Sequence, residues 1–349
     1  MVDSSDVAGA NSMSDLLWAR LSAAELVSGE LPVDETGRRA PSPWPVRVML
    51  GVAGWLGAIF LFGFAAITLH DFLRDASSAW PLGGLCLICA IGLFYAVPAN
   101  GFAGQFAFAL SVAGQFLVVM GMQNLAKEWA AFLMILIEAA LAFAISNYVH
   151  RVFTAIAANT ALVLWLGWTM HAPMLASGLL AIGVTLIWVD PIMIAKRQAL
   201  WEPIGYGLAI GLLSIDGAWI FESNVWSRNS PVVTSFAHWV GPIVVGLTLV
   251  YVAWKLSAGR MLAVGAAAVI ALCGVAAPGM SAAVLVITLG FASAQRVLMG
   301  LGLVGFAFYL WHFYYQWDLT FLAKSMVLAA TGVVLLGLRW VIGRVWADA

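Results

Sequence analysis

Charge is what this chain has least of. Lys and Arg number 16 and Asp and Glu 17 among 349 residues, so charged residues make up 9%, against about 25% in an average soluble domain. A water-facing surface cannot be built from so few, and a net charge of -1 offers no basic face for nucleic acid. Cysteine is scarcer still. Cys86, Cys89 and Cys273 all lie inside apolar segments, which excludes a secreted disulfide framework. No Walker, GxSxG or HExxH pattern occurs, so nothing points to an ATPase, a serine hydrolase or a metalloprotease. The five histidines lack ligand spacing, and neither a metal nor a cofactor is expected. A cleavable leader is not expected either: the first apolar block follows 47 polar residues, so the first helix should act as its own insertion signal.

What the chain does contain is apolar sequence. It is 63% hydrophobic with a mean hydropathy of +0.97, and runs of bilayer-crossing length recur from Val48 to Ile342. In hydrocarbon such runs satisfy their backbone polar groups as helices, whereas barrel strands would show alternation over about 10 residues. The expected fold is all-α, a polytopic transmembrane helix bundle of about 12 spans. They are placed at 48–69, 79–97, 102–122, 129–146, 152–170, 173–190, 203–221, 237–254, 261–276, 281–294, 297–313 and 322–341. The weakest is 281–294, nearer the length of a buried or re-entrant segment. Several of the 17 Trp residues, among them Trp44, Trp80, Trp129, Trp201 and Trp340, fall near segment ends, as interfacial anchors do.

The chain divides into a polar cytoplasmic segment, 1–43, and the bundle, 44–349. Within the first, Ser14, Leu16, Leu17, Leu21, Leu26 and Val27 read as a short capped amphipathic helix lying on the membrane or under the bundle. With the N-terminus inside, twelve Lys or Arg fall on the cytoplasmic face and four on the other, which places both termini in the cytoplasm.

Against this background the intramembrane polar residues stand out. Glu138 interrupts the fourth run at its centre; an ionised carboxylate there costs several kcal/mol, so it should face the bundle, hold a proton or meet a partner. Asp216 poses the same problem nearer the outer end of the seventh span, and Gln115 and Asn159 lie at depths that would allow a cluster around Glu138. Amides at such depths also serve as glue between helices. Cys86 and Cys89 form a CxxC near an outer helix end, the layout of a membrane thiol oxidoreductase, though their Leu, Ile and Gly neighbours suit packing thiols better. Gly207 and Gly211 permit close approach of the seventh span to a neighbour.

Leu17-Trp18-Ala-Arg-Leu21, Gly54-Trp55-Leu56, and the run from Phe313 through Tyr314, Tyr315, Asp318, Leu319 and Lys324 to Ser325, followed by Gly332 and Leu335-Leu336, carry a resemblance. In these features the chain resembles the domain of unknown function 4401 family of bacterial multipass membrane proteins. The resemblance implies the bacterial inner membrane, many helices and no established activity. It also implies membrane-protein partners, including a small single-span protein with a GDYxxLxY motif. Read on their own, Tyr314, Tyr315, Asp318 and Lys324 form an outer interfacial rim suited to an anchor or to a partner or ligand surface. Three functions remain: foremost a subunit of a membrane complex, then a secondary transporter or channel coupled through Glu138, and distantly a redox enzyme using Cys86 and Cys89.

Overall fold

The computed structural model describes residues 76–96, 102–189, 197–222, 233–256, 261–276 and 279–316, together with isolated positions in 49–67 and 321–326. The expected amphipathic helix in 1–43 lies outside these residues, as do Asp318 and Lys324. Of the first and last expected spans only isolated positions are described.

Ten α-helices follow one another, with no strand among the described residues: α1 Ala76–Ala96, α2 Phe102–Gly121, α3 Lys127–Ala144, α4 Tyr148–Met170, α5 Leu175–Val189, α6 Gln198–Glu222, α7 Val233–Leu256, α8 Met261–Ala276, α9 Met280–Ala292 and α10 Arg296–Gln316. Each covers one of the ten inner runs expected from hydropathy. Short connections make sequential neighbours antiparallel, and α1 packs on α2, α3 on α4, α7 on α8 and α9 on α10. Further contacts of α6 with α4 and α5, and of α7 with α5 and α9, join the later hairpins into one body. Its centre is filled by Leu180, Val184, Leu212, Val245, Leu249, Leu285 and Leu289, all buried.

Among the described residues four helical stretches are long and apolar enough to cross a membrane: Ser78–Ala96, Ala103–Gly121, Tyr148–Met170 and Trp239–Leu256. The distribution of side chains agrees with that environment. Ile88, Leu186, Leu247 and Val304 point outward while Gln115, Glu138, His150, Arg151 and Asn159 are buried, the reverse of a water-soluble fold. The protein is a membrane protein. The weak run at 281–294 becomes α9, whose 13 residues extend about 20 Å at 1.5 Å per residue, short of the hydrocarbon core. Ser281, Ala282, Leu285, Val286 and Leu289 bury it among its neighbours.

Small residues set how closely these helices approach. A Cβ on Gly83 of α1 would come within 2.9 Å of the Gly114 carbonyl oxygen of α2, and one on Gly207 of α6 within 2.5 Å of Ala155 Cβ of α4. Without a hydrophobic force between helices in lipid, such backbone proximity is what van der Waals packing depends on.

Candidate functional site

Helices α2, α3 and α4 enclose the site. Asn147 links α3 to α4 and caps the latter, its side-chain oxygen accepting from the His150 backbone N–H at 3.1 Å. The cap satisfies one of the free amides of the first turn, and it lets α4 begin at Tyr148, bringing His150 and Arg151 inside the helix. Arg151 then reaches in two directions: its Nε donates to the Ala142 carbonyl near the end of α3 at 2.9 Å, and one terminal nitrogen donates to the Ala199 carbonyl in the first turn of α6 at 2.7 Å. A guanidinium suits this task because it offers several donors in a fixed plane.

Arg151 therefore fixes the base of the site although it does not line it. Arg151→Met, which keeps the apolar stem and loses both charge-assisted bonds, should lower stability by about 3 kcal/mol, each such bond contributing about 1.5–3 kcal/mol. The check is an unfolding titration of the purified protein in mild detergent against Arg151→Lys, which retains one donor group and should fall between.

From His150 a polar chain leads inward. The Ser111 hydroxyl lies 2.8 Å from His150 Nε2, and Gln115 Nε2, one turn further along α2, donates to Ser111 at 3.4 Å. Phe94 and Phe108 flank the imidazole edge-on, with centroids 5.5 and 5.9 Å away. A small cavity of about 100 Å³ beside Tyr95, Ser146 and Asn147 lies at the α3–α4 connection.

At the inner end of this chain Gln115 lines a cavity of about 470 Å³, and so does Glu138. That volume falls within the range of small-molecule pockets, about 300–1,000 Å³. Most of the wall is apolar or aromatic, with Phe116, Phe153 and Trp168 among its residues and Thr160 adding a hydroxyl. Glu138 is only 1% exposed, and neither carboxyl oxygen has a hydrogen-bond partner among the described residues. An acidic group so placed violates the rule that buried polar atoms are paired. Its cost is of a size that calls for a chemical reason.

The other expected residues do not join it. Asn159 turns away to α6, donating to the Gly207 carbonyl at 3.1 Å and packing on Gly211, so it ties helices together. Asp216 lies in α6, its side chain outside the described ones. Cys86 and Cys89 are free thiols of α1; Cys86 sits against Gly114 in the α1–α2 contact, while Cys89 is exposed. Tyr314 and Tyr315 end α10 in edge-on contact, centroids 5.4 Å apart, with the Trp311 ring tilted 58° against Tyr315 at 5.4 Å. No group of three or more His, Cys, Asp or Glu able to hold a metal occurs among the described residues.

The family model described as a domain of unknown function, DUF4401, matches residues 43–345. The chain belongs to the DUF4401 family. No curated protein and no solved structure matches it. For this DUF4401 member the residues that sequence reasoning missed are Ser111, His150 and Arg151. Ser111 and Gln115 share a face at four-residue spacing, which was a readable signal; the pairing of that face with His150 depends on the packing of α2 against α4.

Proposed function

We propose that this protein is a secondary transporter of the bacterial inner membrane, coupled through Glu138, with about twelve spans and both termini in the cytoplasm. The observation that carries the reading is a buried carboxyl group, unpartnered on both oxygens among the described residues, in the wall of a 470 Å³ cavity. An acid left without a partner at the membrane interior is costly to keep, and exchange of a proton for a bound molecule at that carboxyl is the chemistry that uses it. The His150–Ser111–Gln115 chain gives the cavity a polar approach from the α3–α4 connection.

Carbodiimide labelling tests the site. Dicyclohexylcarbodiimide is itself a small apolar molecule, and it reacts with a carboxylic acid by adding the acid O–H across one C=N bond, giving an O-acylisourea that rearranges to a stable N-acylurea. Glu138 is expected to be the main labelled residue by peptide mass spectrometry, with labelling that increases as pH falls. A wild-type protein whose Glu138 stays unmodified while Glu128 or Glu202 reacts would overturn the reading.

A second reading, the subunit of a membrane complex, is favoured by the exposed aromatic side chains of Trp311 and Tyr315 at the end of α10, since such residues are enriched where proteins meet. Co-purification after mild detergent extraction tests it: a small single-span partner recovered with the chain, and lost with Trp311→Ala and Tyr315→Ala together, supports it. Recovery of the chain alone speaks against it.

A further inference from the structure

We infer that the cavity at Glu138 takes a lipophilic monocation, a molecule with an apolar body and one positive head such as a protonated amine or a phosphonium. This rests on the reading that the cavity is a binding site and adds the class of its ligand.

Four features of the wall lead there. First, the one formal charge that the described residues supply to it is negative, because among them no Lys, Arg or His lines the cavity and Glu138 is the one acidic residue. Anions would meet a carboxylate with no counter-charge. Second, neither carboxyl oxygen has a hydrogen-bond partner among the described residues, and both are sealed from the open cavity, so a ligand reaches their lone pairs by displacing the side chains that cover them. Third, among the described residues the polar side chains of the wall apart from Glu138 are Gln115, Thr160 and the indole of Trp168. A sugar or peptide would leave most of its own polar groups unsatisfied there. Fourth, Phe116, Phe153 and Trp168 are among the lining residues, and aromatic rings attract cations through their quadrupoles. A second positive charge would find no acidic partner, so the ligand is limited to one.

Exchange follows from the same arithmetic of charge. The carboxyl holds either a proton or the cation, and each excludes the other, so binding should release the proton. Besides Glu138 and the tyrosines, the buried titratable and charged groups among the described residues are His150 and Arg151 of α4. The first is engaged with Ser111, the second with the Ala142 and Ala199 carbonyls. Neither lines the cavity.

The probe is tritiated tetraphenylphosphonium, bound to the full-length protein in nanodiscs of neutral lipid, with triphenylphosphine oxide as the uncharged comparison. The cation should bind, the oxide at least about tenfold more weakly. Glu138→Gln should weaken the cation about thirtyfold or more, as loss of a partner from a buried charged pair does, and the oxide far less. Ala157→Leu, which adds bulk to the α4 side of the cavity wall, should weaken both. On the wild-type protein, independent of how any variant folds, the cation should protect Glu138 from carbodiimide.

Equal binding of the two probes, or cation binding indifferent to Glu138→Gln, would overturn the monocation assignment and leave the cavity as a site. So would carbodiimide labelling of Glu138 that the cation does not prevent. Failure of carbodiimide to reach Glu138 at all would overturn the binding-site reading itself.

Discussion

Gly241→Val should abolish recovery of folded protein. Gly241 lies in α7 where that helix crosses the start of α5, and a Cβ there would collide with the carbonyl oxygen of Met174 and come within 2.8 Å of Ser177 Oγ. The obstacle is backbone, and it is held: Met174 is 2% exposed, and its carbonyl accepts from both the Ser177 hydroxyl at 2.8 Å and the Ser177 amide at 3.2 Å. Nor can the helices separate freely, since Gly178 one turn along α5 already brings Val244 of α7 within 2.9 Å of a hypothetical Cβ. Inserting methyl groups into close-packed interiors costs about 1–3 kcal/mol when side chains can yield, and more where they cannot. A loss beyond about 3 kcal/mol consumes much of the margin of a typical fold. Size-exclusion profiles of the solubilised variant should show aggregate in place of the monodisperse peak. The matched control is Gly265→Ala in α8, where nothing lies within 4 Å; it should be neutral or gain up to about 1 kcal/mol from helix propensity. A monodisperse Gly241→Val protein would mean that α5 and α7 are not in this contact.

Glu138→Leu should act in opposite directions on stability and on binding. Leucine removes a buried acid that has no partner and replaces it with a side chain suited to the wall. Replacing a buried polar group that has no partner by an apolar one of similar volume removes its desolvation penalty, about 1–3 kcal/mol. The variant should therefore unfold at the same or a higher temperature than wild type while losing cation binding. A residue kept at a cost to stability is the signature of function. If Glu138→Leu instead unfolds readily, the carboxyl is holding helices together and the ligand account fails.

The helices were legible because apolar runs of bilayer length are interrupted by Gly, Pro and charge. Residues 261–276 form α8 with the expected ends. The misplaced ends have physical causes. Helix α4 starts at Tyr148, four residues ahead of its expected start, because His150 and Arg151 resemble loop residues in sequence; the Asn147 cap and the carbonyl partners of Arg151 make them helical and buried. Helix α6 starts at Gln198 and runs through Pro203, which has no amide to bond the Ala199 carbonyl; that carbonyl accepts from Arg151 instead.

The site was less legible for a different reason. Depth can be counted along a run, and it singled out Glu138. Direction around the helix cannot be read when nearly every face is apolar, and so Asn159, at matching depth, faces Gly207 of α6 instead of Glu138. The link from His150 to Ser111 spans two helices 39 residues apart in sequence, and no local pattern encodes it.

Proton release on ligand binding is the most direct test of the claim that Glu138 exchanges a proton for a lipophilic cation. Tetraphenylphosphonium is added to the concentrated protein in weakly buffered detergent solution near neutral pH, and the pH is followed with an indicator dye. The account predicts release of about one proton per cation bound and none from Glu138→Gln. Cation binding to the wild-type protein without proton release, or equal release from Glu138→Gln, would contradict it.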